Sequence, residues 1–466
     1  MKQPCENKLD RYARFMRGKK IAFCGIGRSN LPLLYKYSAY GARVTACDRR
    51  NRAELHGIAR ELEAAGITLN LGDSYLQNLD ADIIFRTPGM NFFLPELVAA
   101  RRRGVAVTSE MEEFFYLCPS EIFAVTGSDG KTTTTTLISE MLKAEGKTVH
   151  LGGNIGKPLL PEIENVLPDD FAVVELSSFQ LISMRRSPDV AVVTNLAPNH
   201  LDVHSSMEEY IDAKKNIFTH QNAFSRTVLN LDNGITRGFA NETRGQTLMF
   251  SRLSSVEAGA FLSGDGTLYM AVGGETVPVF CKNDILLPGE HNIENYLAAI
   301  SAVWGYVSPE NMKRVAQTFA GVEHRIEFVR EINGVKYYND SIATSPTRSI
   351  AALNAFGKKV VLLAGGYDKH IPFEPMAEKV NEKVKLLILT GTTASAIEKA
   401  VTGHPAYDSK ELPVLHATDL AEAVRLATEN ARPGDIVILS PASASFDAYP
   451  NFEERGKHFK ELVSVL

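Results

Sequence analysis

A chain of 466 residues is too long to close around one hydrophobic core, so two to four domains are expected. Its 44% hydrophobic and 23% charged residues are ordinary for a globular protein, and a net charge of −5 gives no electrostatic footprint for nucleic acid. Five scattered cysteines (Cys5, Cys24, Cys47, Cys118, Cys281) form no CxxC pair, which argues against a disulfide framework or structural zinc and suits a reducing cytoplasm.

Residues 1–17 are charged and lack the apolar centre of a signal peptide. No apolar run approaches the ~18–20 residues of a membrane span. A cytoplasmic protein with neither nucleic acid nor membrane as partner is the expectation. Short apolar strands alternate with amphipathic helices throughout. The expected fold class is therefore α/β, in three consecutive domains that each carry a mainly parallel sheet flanked by helices.

The first block, residues 1–118, opens with a strand over 21–24, a Gly25-Ile26-Gly27-Arg28-Ser29-Asn30 turn and a helix. A strand over 43–47 ends at Asp48, and one over 81–85 runs into Arg86-Thr87-Pro88-Gly89. A GxG turn after a strand, with an acid about 20 residues on, also fits a nicotinamide site of Rossmann type. Asn30 stands where that pattern has its third glycine.

The second block, residues 119–321, begins with a strand over 121–125. Gly127, Ser128, Asp129, Gly130, Lys131, Thr132 and Thr133 follow and open a helix over 133–143. Glycines let backbone N–H groups turn inward around phosphate oxygens, and the helix N-terminus adds its positive dipole end. Lys131 would neutralise the β- and γ-phosphates, and the Thr132 hydroxyl would ligate Mg²⁺. Val125 stands where the general pattern has its first glycine, so the loop is a shortened variant.

Strands over 171–174, 190–193 and 228–229 end at Glu175, at Thr194-Asn195 and at Asn230-Leu231-Asp232. Several strands thus deliver polar groups to one carboxyl edge, where parallel sheets bind ligands. Glu175 is a natural oxygen ligand for Mg²⁺.

A helix over 207–218 puts Met207, Tyr210, Ile211, Lys214, Ile217 and Phe218 on one stripe, with Lys215 on its flank. A lysine desolvated on an apolar face has its pKa lowered and its neutral amine freed as a nucleophile. The plainer alternative pairs Lys214 with an acid such as Asp202. A helix over 291–304 carries Asn292 and Asn295 at the i, i+3 spacing. The third block, residues 322–466, has strands over 335–338, 359–363, 385–389 and 435–439.

The runs TGSDGKTTTT, GGNIG (152–156), ELSSFQL (175–181), NLAPNHLD (195–202), YIDAKK (210–215), GEHNIEN (289–295), EHRIE (323–327) and NDSIATSPT (339–347) come in the order of the Mur ligase family, and the chain resembles that family along its whole length. The C-terminal LSPASASFDAYPNFEERG and the TPG at 87–89 resemble the branch that adds D-glutamate to UDP-N-acetylmuramoyl-L-alanine.

The resemblance implies an ATP- and Mg²⁺-dependent ligation through an acyl phosphate, with ATP, UDP-N-acetylmuramoyl-L-alanine and D-glutamate as substrates. It implies that Lys131, His200 and Lys214 serve catalysis. Thr132, Glu175, His200 and Lys214, the last as a carbamate, would hold two Mg²⁺ ions. Gly127 to Thr133, Asn292, Asn295, Arg325 and Asp340 would bind ATP. Ser29, Asp48, Arg49, Thr87, Asn154 and His200 would bind the UDP substrate. Thr344, Lys369, Ser445, Phe446 and Phe452 would surround D-glutamate. One departure is Ile342, where many family members have lysine. The competing readings are a sibling ligase, a folate polyglutamylating enzyme and an ATP sensor without turnover. Intact Lys131, Glu175, His200 and Lys214 argue against the sensor.

Overall fold

The computed structural model describes residues 7–77, 79–197 and 206–466. The chain separates into two compact units, one of Met1–Lys282 with Glu294–Val315, the other of Asn283–Ile293 with Ala316–Leu466.

In the first unit, β1 (Lys20–Cys24), β2 (Arg43–Asp48), β3 (Thr68–Leu71), β4 (Ile83–Arg86) and β5 (Ala106–Thr108) form a parallel sheet in the order β3-β2-β1-β4-β5. The order reverses at β1, which leaves a crevice beyond the carboxyl ends of β1 and β4. A second parallel sheet comprises β6 (Glu121–Thr126), β7 (Val149–Gly153), β8 (Phe171–Glu175), β9 (Val190–Val193), β10 (Arg226–Asn230) and β11 (Gln246–Phe250). Its order is β11-β10-β9-β6-β8-β7.

These strands read as continuous apolar runs because helices cover both sheet faces, and β8 and β9 are buried along their whole length. One apolar cluster runs from Tyr12 and Phe23 around the first sheet through Phe114 to Val174 and Phe218 around the second. The expectation of mainly parallel sheets needs one addition. β12 (Gly259–Leu262), β13 (Thr267–Val272) and β14 (Glu275–Cys281) form an antiparallel sheet of their own, joined by tight glycine turns.

The second unit holds β15 (Glu327–Ile332), β16 (Val335–Asn339), β17 (Val360–Gly365), β18 (Val384–Thr390), β19 (Val414–His416) and β20 (Ile436–Leu439), in the order β15-β16-β20-β17-β18-β19. Only β15 runs antiparallel to its neighbour. Among the described residues no helix is long and apolar enough to cross a membrane, and Cys24, Cys47, Cys118 and Cys281 are free thiols.

Glu110 ties the helix after β5 to the segment after β7, between the first unit's two parallel sheets. It is buried, and its Oε1 accepts the Leu159 and Leu160 N–H groups at 3.0 and 2.9 Å. Burial pushes its carboxyl up to about 7, against the pull of those two donors. A carboxyl raised on folding binds more protons in the native state, so its stabilisation is complete below the unfolded pKa and is lost as pH rises toward 7. Glu110→Gln keeps an acceptor and removes the titration. The variant should gain on the parent by on the order of 2 kcal/mol between pH 5.5 and 8. Urea midpoints at the two pH values check this, and an unchanged difference between variant and parent would refute it.

Candidate active site

The phosphate loop lies between β6 and the helix Lys131–Ala144. Two of its glycines are obligatory. Gly127 has φ 152°, and a Cβ there would lie 1.9 Å from Thr194 Oγ1. Gly130 has φ 76°, and a Cβ there would lie 2.3 Å from Asn295 Oδ1. The residues after β9 latch the loop. Ser128 N–H donates to the Asn195 carbonyl at 2.8 Å, Asp129 N–H to Asn195 Oδ1 at 3.0 Å, and Thr194 Oγ1 to the Asp129 carbonyl at 2.6 Å. No side chain caps the following helix and no acid sits in its first turn. Its leading N–H groups and positive dipole end are therefore arranged for an anion. Lys131 Nζ donates to the Ser128 carbonyl at 2.8 Å, back across its own loop.

A polar cluster with the buried Thr132 and Glu175 at its centre adjoins this loop. Thr132 Oγ1 donates to Glu175 Oε2 at 2.7 Å, and Asn154 Nδ2 donates to Glu175 Oε1 at 2.7 Å. The turn that carries Asn154 is anchored by its N–H on the Glu175 carbonyl, at 2.8 Å. Thr132 and Glu175 thus bring hard oxygen donors together at the mouth of the loop, which fits a magnesium ion completed by phosphate oxygens.

Lys214 stands in the helix Met207–Thr219 and is only 2% exposed. Its Nζ donates to Thr126 Oγ1 at 3.0 Å and lies 5.0 Å from the centre of the Tyr210 ring. Burial, then the nearby Lys131 charge, hold its pKa well below the ordinary lysine range, opposed by Glu175. Its neighbour Lys215 pairs instead with Glu242 at 2.8 Å. His200 and Asp202 lie outside the described residues.

In the first sheet's crevice, Asp48 accepts the Ile26 N–H at 2.7 Å, inside the turn after β1. Burial raises its carboxyl, but hydrogen bonds from Arg50 and from the Ile26 amide outweigh that and hold it below the usual carboxylate range. Arg50, not Arg49, closes on Asp48, at 2.9 Å; Arg49 is exposed, 4.0 Å from the equally exposed Asp73. Thr87 packs on Gly25, where a Cβ would meet its Cγ2 at 2.8 Å. Ser29 is half-buried in the same turn. Asn30 donates to the Gly25 carbonyl at 3.0 Å, filling with a side chain the place a third glycine would leave open.

In the second unit, Asp340 is buried at the end of β16 and accepts from Ser440 Oγ at 2.7 Å and Ile326 N–H at 3.2 Å. Burial pushes its carboxyl up to about 7, partly offset by Ser440, Ile326 and the charges of Arg325 and Arg348. Arg348 also donates to the Ile342 carbonyl at 3.0 Å, so a cation stands beside the position where lysine is missing. Thr344 follows in the same turn, its N–H donating to the Ile342 carbonyl at 2.8 Å.

Sequence reasoning passed over Arg455. This buried arginine ties the turn after β16 to the loop after β20, donating to Ser341 Oγ at 3.0 Å, the Ser341 carbonyl at 2.9 Å, the Ser443 carbonyl at 3.1 Å and the Ala444 carbonyl at 3.0 Å. The same loops gather the other predicted residues. Ser341 Oγ donates to the Phe452 carbonyl at 2.8 Å. Tyr367 N–H donates to the Ala444 carbonyl at 2.9 Å, and its ring meets the exposed Phe446 edge-on at 5.9 Å. Ser445 is buried, whereas Lys369 projects into solvent two residues beyond Tyr367. Asn295 accepts from Thr134 Oγ1 at 3.2 Å, and Asn292 donates to the Pro288 carbonyl at 2.6 Å.

Profiles of two domains match the chain: the Mur ligase middle domain over residues 125–303, and the Mur ligase, glutamate ligase domain over residues 324–443. The UDP-N-acetylmuramoylalanine–D-glutamate ligase of Acetivibrio thermocellus is 54% identical over 463 residues, covering 98% of this chain and 99% of its own. That of Clostridium botulinum is 50% identical over 463 residues, with 99% and 100% covered. In fold, the chain is similar to the UDP-N-acetylmuramate–alanine ligase MurC of Thermotoga maritima, with a TM-score of 0.56 at 17% identity over 96% of this chain and 99% of that one.

Proposed function

This chain belongs to the Mur ligase family, and from that premise we propose that it joins D-glutamate to UDP-N-acetylmuramoyl-L-alanine at the expense of ATP, a cytoplasmic step of peptidoglycan synthesis. The observation that carries the chemistry is the meeting of Thr132, Glu175, Asn154 and the buried Lys214 around one phosphate loop. As working boundaries, residues 1–118 take the UDP substrate, 119–321 take ATP and 322–466 take the amino acid.

A carboxylate is a poor electrophile, so the L-alanyl carboxylate first attacks the γ-phosphorus of ATP and ADP leaves. The D-glutamate amine then adds to the acyl phosphate, and the tetrahedral intermediate collapses with loss of phosphate. Little of this needs covalent help from the protein, whose work is alignment and charge neutralisation. The loop amides and Lys131 bind the phosphates. Thr132 and Glu175 would hold one Mg²⁺, and His200 with carbamylated Lys214 a second; these ions supply neutralising charge for the transferring phosphoryl group. Asn154 orients the muramoyl end of the substrate. Ser29, Asp48, Arg49 and Thr87 take uracil and diphosphate. Asn292, Asn295, Arg325 and Asp340 reach the nucleotide. Thr344, Lys369, Ser445, Phe446 and Phe452 enclose D-glutamate, with Lys369 set against one of its carboxylates.

Phosphate release should require ATP, UDP-N-acetylmuramoyl-L-alanine and D-glutamate together. L-Glutamate should support less than about a tenth of the rate, because inverting the α-carbon misplaces the amine or a carboxylate, and a tenfold loss is only about 1.4 kcal/mol of alignment. Equal rates with both enantiomers would overturn the acceptor assignment.

A further inference from the structure

Arg86 is the largest fully buried side chain of the chain's described residues, at 1% exposure, and nothing in the reaction above uses it. Burying a guanidinium is costly unless its donors are met. Arg86 meets those of its two terminal nitrogens from segments beside both parallel sheets of the first unit, while Nε has no partner among the described residues. Nη1 donates to the Pro88 and Met90 carbonyls at 3.3 and 3.2 Å. Nη2 donates to the Phe179 carbonyl at 2.8 Å and to Ser183 Oγ at 2.7 Å. Ser183 Oγ in turn donates to Glu112 Oε1 at 2.6 Å, and the charge of the half-buried Glu112 carboxylate acts on the guanidinium. The Phe92 ring covers the guanidinium, its centre 5.5 Å away.

The two anchored segments are the ones that matter. Pro88 belongs to the turn that carries Thr87, which packs on the Gly25 turn of the UDP crevice. Phe179 lies four residues beyond Glu175, in the short helix Ser178–Leu181 that leads away from the β8 carboxyl end. A planar fork with two donor edges can fix both segments at once, which a lysine ammonium cannot do with the same geometry.

We propose that Arg86 is a positioning residue for the ligation, clamping the UDP-binding turn at 87–89 to the segment that follows Glu175. It thereby fixes where the substrate carboxylate arrives relative to the ATP γ-phosphate. The proposal rests on the ligase reading above. It acts through Thr87 and Glu175, without touching substrate itself.

The test compares the full-length parent with Arg86→Lys and with the charge-balanced pair Arg86→Met/Glu112→Gln, which leaves no lone buried charge. Well below each protein's melting point, KM for UDP-N-acetylmuramoyl-L-alanine should rise at least 10-fold and kcat fall at least 10-fold in the pair. KM for ATP should stay within about twofold, because the phosphate loop is held by residues 194–195 instead. Arg86→Lys should recover part of both losses. A lowered melting point with unchanged kinetic constants would show a purely structural arginine and overturn the proposal, as would parallel rises in both KM values. If the parent itself gives no phosphate release with these substrates, the ligase reading fails instead.

Discussion

Replacing Lys214 by methionine should leave a folded, more heat-stable protein with ligation reduced at least 100-fold, about 2.7 kcal/mol of transition-state stabilisation. The side chain is buried and makes few bonds of its own, one to the Thr126 hydroxyl at 3.0 Å and one contact with the Tyr210 ring, with the charges of Lys131 and Glu175 nearby. For stability alone a methionine of similar shape fits such a site better than an amine, because it carries no desolvation penalty. A chain that keeps an amine there keeps it for chemistry. Burial and the Lys131 charge hold the pKa low, so the neutral amine is available to add to CO₂, forming an N–C bond and releasing a proton. The product would be an anion where a neutral amine stood, within electrostatic reach of Glu175, and suited to a hard metal. Acetate or formate should restore part of the activity to Lys214→Ala by supplying the missing oxygens. Lys215→Ala, which loses the pair with Glu242 and the contact over the Phe239 ring, should stay active. A fully active Lys214→Met enzyme would end the carbamate assignment.

Much of the secondary structure around the phosphate loop was legible in the sequence. The strands around the phosphate loop are apolar runs closed by a polar residue, and that pattern identifies both the strand and the end at which its polar group sits. The helix Met207–Thr219 was legible because its apolar residues recur with the helical period, which also placed Lys214 inside and Lys215 outside. The antiparallel sheet at Gly259–Cys281 was missed. Its strands are half-exposed and separated by Gly-rich turns that read as loop. The buried arginines were missed for a different reason. Arg86 and Arg455 look like surface residues in one dimension, since most of their acceptors are backbone carbonyls, which no sequence pattern advertises. A faint signal existed in each case. Arg86 ends an apolar strand directly before a proline turn, and Arg455 follows two acids in the first turn of the helix Phe452–Ser464, where a cation opposes the helix dipole. The sequence reading named Arg49 and passed over Arg50, whose amide and Nε donate to Asp48 Oδ1 at 2.9 and 3.0 Å, which turns the Arg50 side chain inward.

Gly127→Ala should be among the most damaging single-methyl additions available in this chain. A Cβ at this residue would sit 1.9 Å from Thr194 Oγ1, 3.1 Å from the Asn195 carbonyl oxygen and 3.2 Å from the Asn195 nitrogen. The threonine cannot simply rotate away, because its hydroxyl donates to the Asp129 carbonyl at 2.6 Å. Nor can the backbone of Asn195 retreat without losing the Ser128 N–H at 2.8 Å. Relief of the clash therefore unlatches the loop whose amides are to cradle the phosphates. The φ of 152° adds a conformation that L-residues rarely adopt, so strain and overpacking together should cost roughly 2–6 kcal/mol. ATP affinity should fall at least tenfold through displacement of the loop, alongside the lowered melting temperature. Gly234→Ala is the matched control. It lies in the helix Gly234–Gly238 with no atom within 4 Å of the added methyl, and should be neutral or stabilise by about 0.4–1 kcal/mol. Calorimetric titration with a non-hydrolysable ATP analogue and thermal melts of both variants decide the matter. Wild-type affinity and stability in Gly127→Ala would mean that the loop is not locked against β9 as described.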